Sequence, residues 1–322
     1  MKPASGPRER GLGLLLGIGA GIAFAIVAPI GLLTMPLAAL VLVRRPGPRG
    51  RLSTAALAGG LSLWWLARPG DPPDQAVRAA AVIGTVVFGW TWRYTTWSLA
   101  HRAMSATAAA AVGVSVLIAA LGGSWSQIRW WVESRIVVAT QLVLAWISTG
   151  TPSGPAGTAD PMVVQLEDSF DTVVPLMADF FPATVAIEML AGFALATVLY
   201  RRLVDATDAA SFGRFRDFRF TEHFGWIPVV ALAVVLVLTG GASRTMAANV
   251  LVVAGVLYAL RGVAVARFGI GLTGGPSFLT MILIAFSIVF MLPVVLIGAI
   301  LLGVADTGLD LRRRWIAPRA ES

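Results

Sequence analysis

The sequence predicts an all-α fold, a polytopic transmembrane helical bundle of about 8–10 spans with an external amphipathic segment. Hydrophobic residues make up 57% of the 322 residues and charged residues only 13%, a composition far from that of soluble domains. Many apolar runs have the length of a membrane-crossing helix. None of them shows the period-2 alternation of an outer-membrane barrel. We therefore expect a single integral membrane domain over residues 1–322, with the lipid bilayer as its surroundings.

The N-terminal spans are expected within residues 11–122, where the first apolar run, residues 11–43, is too long for one crossing. As a straight helix it would extend about 50 Å, against a hydrocarbon core of about 30 Å. Pro29, Gly31 and Pro36 interrupt this run, so we predict two short crossings that turn near Gly31. The other spans predicted in this part are 52–67, 78–98 and 104–122.

The C-terminal spans are expected within residues 183–314. The first crossings predicted there are 183–200, 225–240 and 246–266. The last apolar run, residues 277–309, contains Pro293 near its middle. We interpret it as a hairpin of two short helices, 277–291 and 293–309. A single long helix kinked at the proline is the alternative.

Arginine clusters beside the apolar runs predict the topology, because basic residues mark the cytoplasmic side of a membrane. With about ten crossings, the following arginines share one side: Arg8, Arg10, Arg44 to Arg51, Arg102, Arg201 to Arg219, Arg267 and Arg312 to Arg314. Both termini are therefore expected in the cytoplasm. The turns expected outside carry no Arg or Lys, and they are 70–75, 122–126 and 240–243. Three arginines do not follow the pattern, since they stand at external span ends: Arg68, Arg78 and Arg244.

Residues 123–182 differ from the rest and are interpreted as an external amphipathic and loop insertion. Trp130 and Trp131 stand among polar and charged residues in the pattern of an amphipathic helix at a membrane interface. Residues 136–148 are apolar but short for a span, and residues 151–161 have the proline and glycine content of a loop. The insertion is either a cap over an external opening or a solvated segment.

The sequence lacks the motifs of several catalytic and cofactor-binding classes. It has no cysteine and only two histidines, which argues against thiolate chemistry and against a histidine zinc site. No HExxH, Walker A or GxSxG pattern occurs. We therefore expect no enzyme activity, no metal and no cofactor. The net charge of +8 comes from short clusters beside apolar runs, so nucleic acid is not an expected partner.

Four polar side chains within or at the ends of the C-terminal spans form the candidate intramembrane polar site: Glu188, Asn249, Arg261 and Asp306. Ionisable groups in a bilayer are costly, and they usually face the bundle interior or a water-filled cavity in pairs. Arg261 and Asp306 are the pair that we expect to form. The alternative is that each charge reaches an interface or makes an ion pair that only fixes helix packing.

Three phrases in the last third of the chain resemble a known family. They are DFR at 217–219, RG-x-AV at 261–265 and G-x-x-D-x-x-x-D-x-R at 303–312. These phrases are similar to the closing region of the YybS-like family, bacterial multi-pass membrane proteins grouped under a domain of unknown function. In many relatives, the residue at the position of Arg261 looks to be Gln. The resemblance is most specific over residues 214–314.

The resemblance implies a fold related to the substrate-binding membrane subunits of energy-coupling-factor transporters, which bind a vitamin or metal from outside and rely on separate ATPases. It therefore implies a small-molecule transport or substrate-binding subunit of the bacterial inner membrane, with a separate energy-coupling protein as partner. The alternative is a non-transporting envelope scaffold. Its candidate docking residues for cytoplasmic or wall-synthesis proteins are Arg216, Asp217, Arg219 and Glu222. A third hypothesis is a membrane enzyme, for which no histidine cluster or acidic metal motif is present.

Overall fold

The computed structural model of the chain describes residues 19–44, 48–150, 161–203, 218–220, 222–272 and 290–316. These residues form helices and connecting turns, and no strand occurs among them. The predicted all-α class is therefore confirmed. The chain divides into two compact units, which are residues 1–95 with 103–204, and residues 96–102 with 205–322.

The first unit begins with helical residues at 19–27. The helices that follow are α1 (Gly31–Arg44), α2 (Pro48–Ala67), α3 (Pro72–Tyr94), α4 (Leu99–Ala120), α5 (Trp125–Gly150), α6 (Pro161–Asp179) and α7 (Phe181–Leu203). The first turn of α4 belongs to the second unit. Helix α1 packs against α2, α3 and α7, so it lies at the centre of this unit.

The first apolar run is broken as predicted. Its helix stops after residue 27 and resumes at Gly31, with Pro29 inside the break. Pro36 lies inside α1 without ending that helix. The Ser62 hydroxyl of α2 donates to the Thr34 hydroxyl of α1 over 2.9 Å, so this buried polar contact is satisfied.

Aromatic side chains fill the core of the first unit between α3 and α7. Phe88 and Phe193 are both fully buried, and their rings stack with centroids 4.5 Å apart. Trp92 meets Phe88 edge to face at 6.2 Å. Rings in these arrangements add packing energy beyond their buried area, so α3 and α7 are held by specific contacts.

The boundaries of α3 and α4 differ from the predicted spans 78–98 and 104–122. Helix α3 begins earlier, because Asp71 caps it by accepting from the Asp74 amide (3.3 Å) and prolines occupy its first turn. It ends at Tyr94, so Arg93 lies in its last turn. Helix α4 begins at Leu99, where the Ser98 hydroxyl accepts from the His101 amide over 3.4 Å. Hydropathy alone does not report these caps.

The described residues of 123–182, which are 123–150 and 161–182, form more regular structure than the sequence predicts. The amphipathic stretch and the apolar run 136–148 belong to one helix, α5, which is about 39 Å long. Helix α6 packs antiparallel to α5, and the two helices meet in a cluster of Ile128, Val132 and Ala178. The separate treatment of 136–148 was wrong, because no helix-breaking residue separates it from 125–135. The predicted loop at 151–161 lies outside the described residues except for Pro161.

Two of the three arginines that depart from the charge pattern have local partners. Arg78 donates to the carbonyl oxygens of Leu66 (3.5 Å), Arg68 and Pro69 (3.4 Å), so it caps the C-terminal end of α2. The Arg68 guanidinium lies 3.8 Å from the Trp64 ring centroid, a cation–π contact. These interactions give both side chains a structural role at the end of α2.

In the second unit, residues 218–220 lead to a 3-10 turn at Glu222–Gly225. The helices that follow are α8 (Trp226–Val237), α9 (Ala242–Leu272), α10 (Leu292–Leu309) and α11 (Leu311–Ile316). Helix α9 packs against α8 and α10 and is about 46 Å long, well beyond the predicted span 246–266. No proline interrupts it, so the helix extends past the apolar core at its ends.

Four described helices are long and apolar enough to cross a membrane, and they are Leu99–Ala120, Phe181–Leu203, Ala242–Gly271 and Leu292–Leu309. Shorter apolar helices cover Gly31–Val43, Leu52–Ala67 and Trp226–Val237. All seven overlap predicted spans. For the terminal hairpin, α10 matches 293–309 and the chain departs from helical structure at Met291. Residues 277–289 of its first half lie outside the described residues.

Candidate functional site

The predicted pair of Arg261 and Asp306 is formed in the second unit. Arg261 Nε on α9 donates to Asp306 Oδ2 on α10 over 2.9 Å, and its Nη2 donates to the Asp306 carbonyl oxygen over 3.2 Å. The two side chains are only 6% and 0% exposed. Because both charges are removed from solvent, each needs the other, and removing one partner is far more costly than removing both.

A second arginine and an aromatic ring complete this charged cluster. Arg312 on α11 approaches the same Asp306 oxygen at 3.5 Å and donates to the Phe218 carbonyl oxygen over 3.0 Å. The Phe220 ring lies 4.9 Å from the Arg261 guanidinium and meets Tyr258 edge to face. The Asp306 carboxylate therefore links α9, α10 and α11. The cation–π contact between Arg261 and Phe220 joins the segment before α8 to the same cluster.

The helices around the Arg261–Asp306 pair touch through their backbones. A Cβ atom at Gly262 would overlap the Ala299 carbonyl oxygen, and one at Gly303 would overlap the Tyr258 carbonyl oxygen. Small residues allow this close approach between membrane helices. The pair is thus enclosed by backbone on α9 and α10, an arrangement that favours a structural role over ligand binding.

Of the other two members of the candidate intramembrane polar site, Asn249 lies on the same helix as Arg261, and Glu188 belongs to the first unit. Asn249 precedes Arg261 by twelve residues on α9, about 18 Å along the helix, and its amide donates to the Thr245 carbonyl oxygen over 2.8 Å. Glu188 belongs to α7 in the first unit and is half-buried. Of the four predicted residues, Arg261 and Asp306 are in contact, and Asn249 lies elsewhere on α9.

Of the candidate docking residues, Arg219 is already engaged. Its Nη2 lies 3.0 Å from Asp310 Oδ1, in a pair whose side chains are about half exposed. Asp310 itself has a left-handed backbone (φ 43°) that separates α10 from α11. Arg216 and Asp217 lie outside the described residues, and of Glu222 only the backbone is described.

The sequence analysis missed a groove at one end of α3, α4 and α5. Its cavity volume is about 670 Å³, within the range of small-molecule sites. The residues that give it chemical character are Gln75, Ser124, Ser126, Gln127, Trp130 and Trp131. The rest of the lining is mainly aliphatic, from Val114, Leu117, Ile118, Leu121 and Ile128. No charged side chain lines it.

Local hydrogen bonds fix the polar rim of this groove. Ser124 precedes α5, and its amide donates to Gln127 Oε1 over 3.1 Å, which is one of the two hydrogen bonds of a capping box. Gln75 Nε2 donates to the Gly70 carbonyl oxygen over 3.1 Å. Among the described residues, the other end of each carboxamide has no hydrogen bond, Nε2 in Gln127 and Oε1 in Gln75. The Trp130 and Trp131 rings pack edge to face beside them, with centroids 5.3 Å apart.

Charged residues close to the groove are paired with one another. Arg135 on α5 contacts Asp71 at 3.2 Å and Asp74 at 2.9 Å, next to the groove residues Pro72 and Gln75. The main cause that raises the pKa of Arg135 above its ordinary value is the hydrogen bond that its guanidinium donates to the Asp74 carboxylate, so this guanidinium stays charged at any physiological pH. The groove is therefore bordered by an ion-pair network of one arginine and two aspartates, which also joins α5 to the start of α3.

A second groove, in the second unit, is almost wholly apolar. It has a volume of about 640 Å³ and lies between α8 and α9, with Trp226, Val230, Met246 and Val250 among its lining residues. Ser243 is the one polar side chain of that lining. Among the described residues, no cluster of three or more His, Asp or Glu side chains could hold a metal ion. The groove in the first unit therefore has the greater capacity for selective recognition.

The comparisons with known proteins agree with the sequence and the fold at the level of family. No curated protein and no solved structure matches this sequence. The family described as "Predicted membrane protein (DUF2232)" matches residues 14–307, which is nearly the whole chain. The chain belongs to this family of predicted membrane proteins.

Proposed function

We propose that the protein is a small-molecule transport or substrate-binding membrane subunit without its own ATPase. The observation that carries this proposal is the groove at the ends of α3, α4 and α5. It combines an aliphatic floor, two indole rings and two carboxamides with a free donor and a free acceptor. Such a lining favours an uncharged molecule with a ring and hydrogen-bonding groups at its edge.

The arginine pattern supports access to this groove from outside the cell. The turns 70–75 and 122–126 carry no Arg or Lys, and both border the groove. Basic residues concentrate on the cytoplasmic side, so the groove would open outward in the bacterial inner membrane, with both termini in the cytoplasm. A reporter fused after Arg314 tests this orientation, and a signal from the external side would contradict it.

A separate energy-coupling protein is the expected partner if the bound molecule is moved across the membrane. The alternative function, an envelope scaffold that docks proteins through the region of Arg219, has less support. Arg219 is paired with Asp310, so this arginine is not free for a partner without breaking that contact. The exposed pair itself is worth about 0–1 kcal/mol.

Ligand-induced stabilisation of the purified full chain tests the proposal. A panel of uncharged ring compounds, including nucleobases and neutral vitamins, is added in detergent while the midpoint of thermal unfolding (Tm) is measured. A ligand at 100 times its Kd should stabilise the native state by about 2.7 kcal/mol and raise Tm. If no compound raises Tm and pull-downs recover wall-synthesis or division proteins, the scaffold is the correct function.

Tryptophan variants place the ligand in the groove. Trp130→Ala or Trp131→Ala removes a stacking surface and should weaken binding about tenfold. Trp146→Ala is the matched control, since Trp146 is an exposed tryptophan of the same helix about 22 Å farther along it. Equal losses in all three variants would show that the ligand binds elsewhere.

A further inference from the structure

Glu188 is a carboxylate on α7, a helix that is long and apolar enough to cross a membrane. It lies about 10 Å along the helix from its first residue, Phe181, and it is half-buried. Among the described residues, none donates a hydrogen bond to Glu188 or forms an ion pair with it. Ionisable groups at such positions are normally paired, so this carboxylate needs a counter-charge.

The helical segment 19–27 runs antiparallel to α7. A Cβ atom at Gly192 would lie 3.5 Å from the Phe24 ring. One at Gly21 would lie 3.7 Å from the Leu199 side chain. Residue numbers therefore rise in one helix as they fall in the other, and the end of segment 19–27 lies toward the start of α7.

Glu188 lies at the level where this segment ends. It precedes Gly192 by one turn on the same side of α7, as Ala28 follows Phe24 by one turn. The contact between Phe24 and Gly192 therefore places Glu188 beside Ala28. A Cβ atom at Gly192 would also overlap the Leu32 carbonyl oxygen, so the break before α1 lies at the same level.

Segment 19–27 ends with carbonyl groups that lack donors. The Ala25 carbonyl would pair with the amide of residue 29 in a continuous helix, but Pro29 has no amide hydrogen. In the described part of the chain, no group donates to the carbonyl oxygens of residues 26–28, and hydrogen bonding resumes with the Leu32 amide and the Pro29 carbonyl oxygen (3.0 Å). These carbonyl groups carry the negative end of the helix dipole.

The helices that pack against α7 offer no cation to Glu188. They are α1, α3 and α6. Arg44 and Arg93 stand in the last turns of α1 and α3, far along each helix from the level of Glu188. Arg78 of α3 donates to the carbonyl oxygens at the end of α2, and the sequence of α6 contains no basic residue.

We propose that Glu188 and the carbonyl oxygens of residues 25–28 bind a hard monovalent metal cation such as Na⁺. Carboxylate and carbonyl oxygens are the ligands of hard cations, and interrupted membrane helices supply such oxygens at their ends. One carboxylate neutralises one monovalent charge, whereas a divalent ion would leave a net positive charge in an apolar region. This inference does not depend on the ligand proposed for the groove.

Equilibrium binding of radioactive Na⁺ to the purified full chain in detergent tests the proposal. Glu188→Gln keeps the size of the side chain and removes its charge, so it should weaken Na⁺ binding about tenfold or more. Tm of the native chain should rise when Na⁺ replaces choline at constant ionic strength, and Tm of the variant should not. Glu167→Gln is the matched control, because Glu167 is an exposed carboxylate on α6 and should leave Na⁺ binding unchanged.

Three results would overturn the assignment. Unchanged Na⁺ binding by Glu188→Gln would place the ion elsewhere. An equal loss of Tm in this variant with and without Na⁺ would show that the carboxylate only caps the amides at the start of α1. If the native chain binds no Na⁺, and Glu188→Gln removes a dependence of Tm on pH, the group takes up a proton instead of a metal ion.

Discussion

Helices α9 and α10 bring their backbones into contact at Gly262 and Gly303 and bury an ion pair, whereas α3, α4 and α5 leave a groove of about 670 Å³ at one end. In the first arrangement, the charged groups of Arg261, Asp306 and Arg312 pair with one another. The second keeps charges off its surface and leaves carboxamide groups available. The most costly polar groups in a membrane helix can therefore serve packing, while the proposed ligand groove is lined by neutral groups.

This difference changes the meaning of the buried charges. An ionisable residue in a membrane helix is by default a functional hypothesis, and Arg261 with Asp306 satisfies the expected pairing. Its enclosure by backbone at Gly262 and Gly303 supports the alternative that the pair fixes helix packing. The two interpretations make different predictions for substitution, because a packing pair controls stability and a ligand site controls binding.

The largest effect is expected from Asp306→Ala. This change leaves Arg261 and Arg312 buried without a carboxylate, so it should lower the free energy of unfolding by about 3–5 kcal/mol. Replacing both members of the pair, Arg261→Met with Asp306→Leu, should cost less than the sum of the two single replacements. Unfolding of the purified chain in detergent measures each value, and additive costs would refute the pairing.

Asp310→Asn supplies the control for that measurement. Asp310 pairs with Arg219 in a contact about half exposed, so its loss should cost about 0–1 kcal/mol. Asn is chosen because it tolerates the left-handed backbone of this position. A cost as large as that of Asp306→Ala would mean that solvent exposure does not separate the two carboxylates.

Alanine substitutions at two glycines of α10 should change the free energy of unfolding by smaller amounts and in opposite directions. Gly303→Ala places a methyl group against the Tyr258 carbonyl oxygen and should destabilise the protein by about 1–3 kcal/mol. Gly298→Ala, on the same helix with open space around it, should stabilise it by about 0.5–1 kcal/mol, since alanine favours the helix. Thermal unfolding of both variants measures the contrast. Equal shifts would show that α9 and α10 are not in backbone contact.

Sequence reasoning found the Arg261–Asp306 pair because few ionisable groups stand in the C-terminal spans, and each one needs a partner. Helix ends were less accurate, since the caps at Asp71 and Ser98 depend on side chain to backbone hydrogen bonds that hydropathy does not contain. The groove could not be assembled from one sequence, because its lining comes from three separate segments. The capping box at Ser124–Gln127 and the adjacent tryptophans were the available local signals.

The smallest effect is expected at the border of the groove, from Arg135→Gln. Arg135 is about half exposed and joins Asp71 and Asp74, so its loss should cost about 0–1 kcal/mol at low salt. The difference from the native chain should disappear near 1 M salt, where the screening length falls to about 3 Å. The pKa of Arg135 is raised, so its stabilising charge is present below that pKa and the cost should not vary between pH 6 and pH 8. Tm measured against salt concentration checks this result. A cost of several kcal/mol that persists at high salt would show that the groove end is held by buried charge, as the α9–α10 pair is.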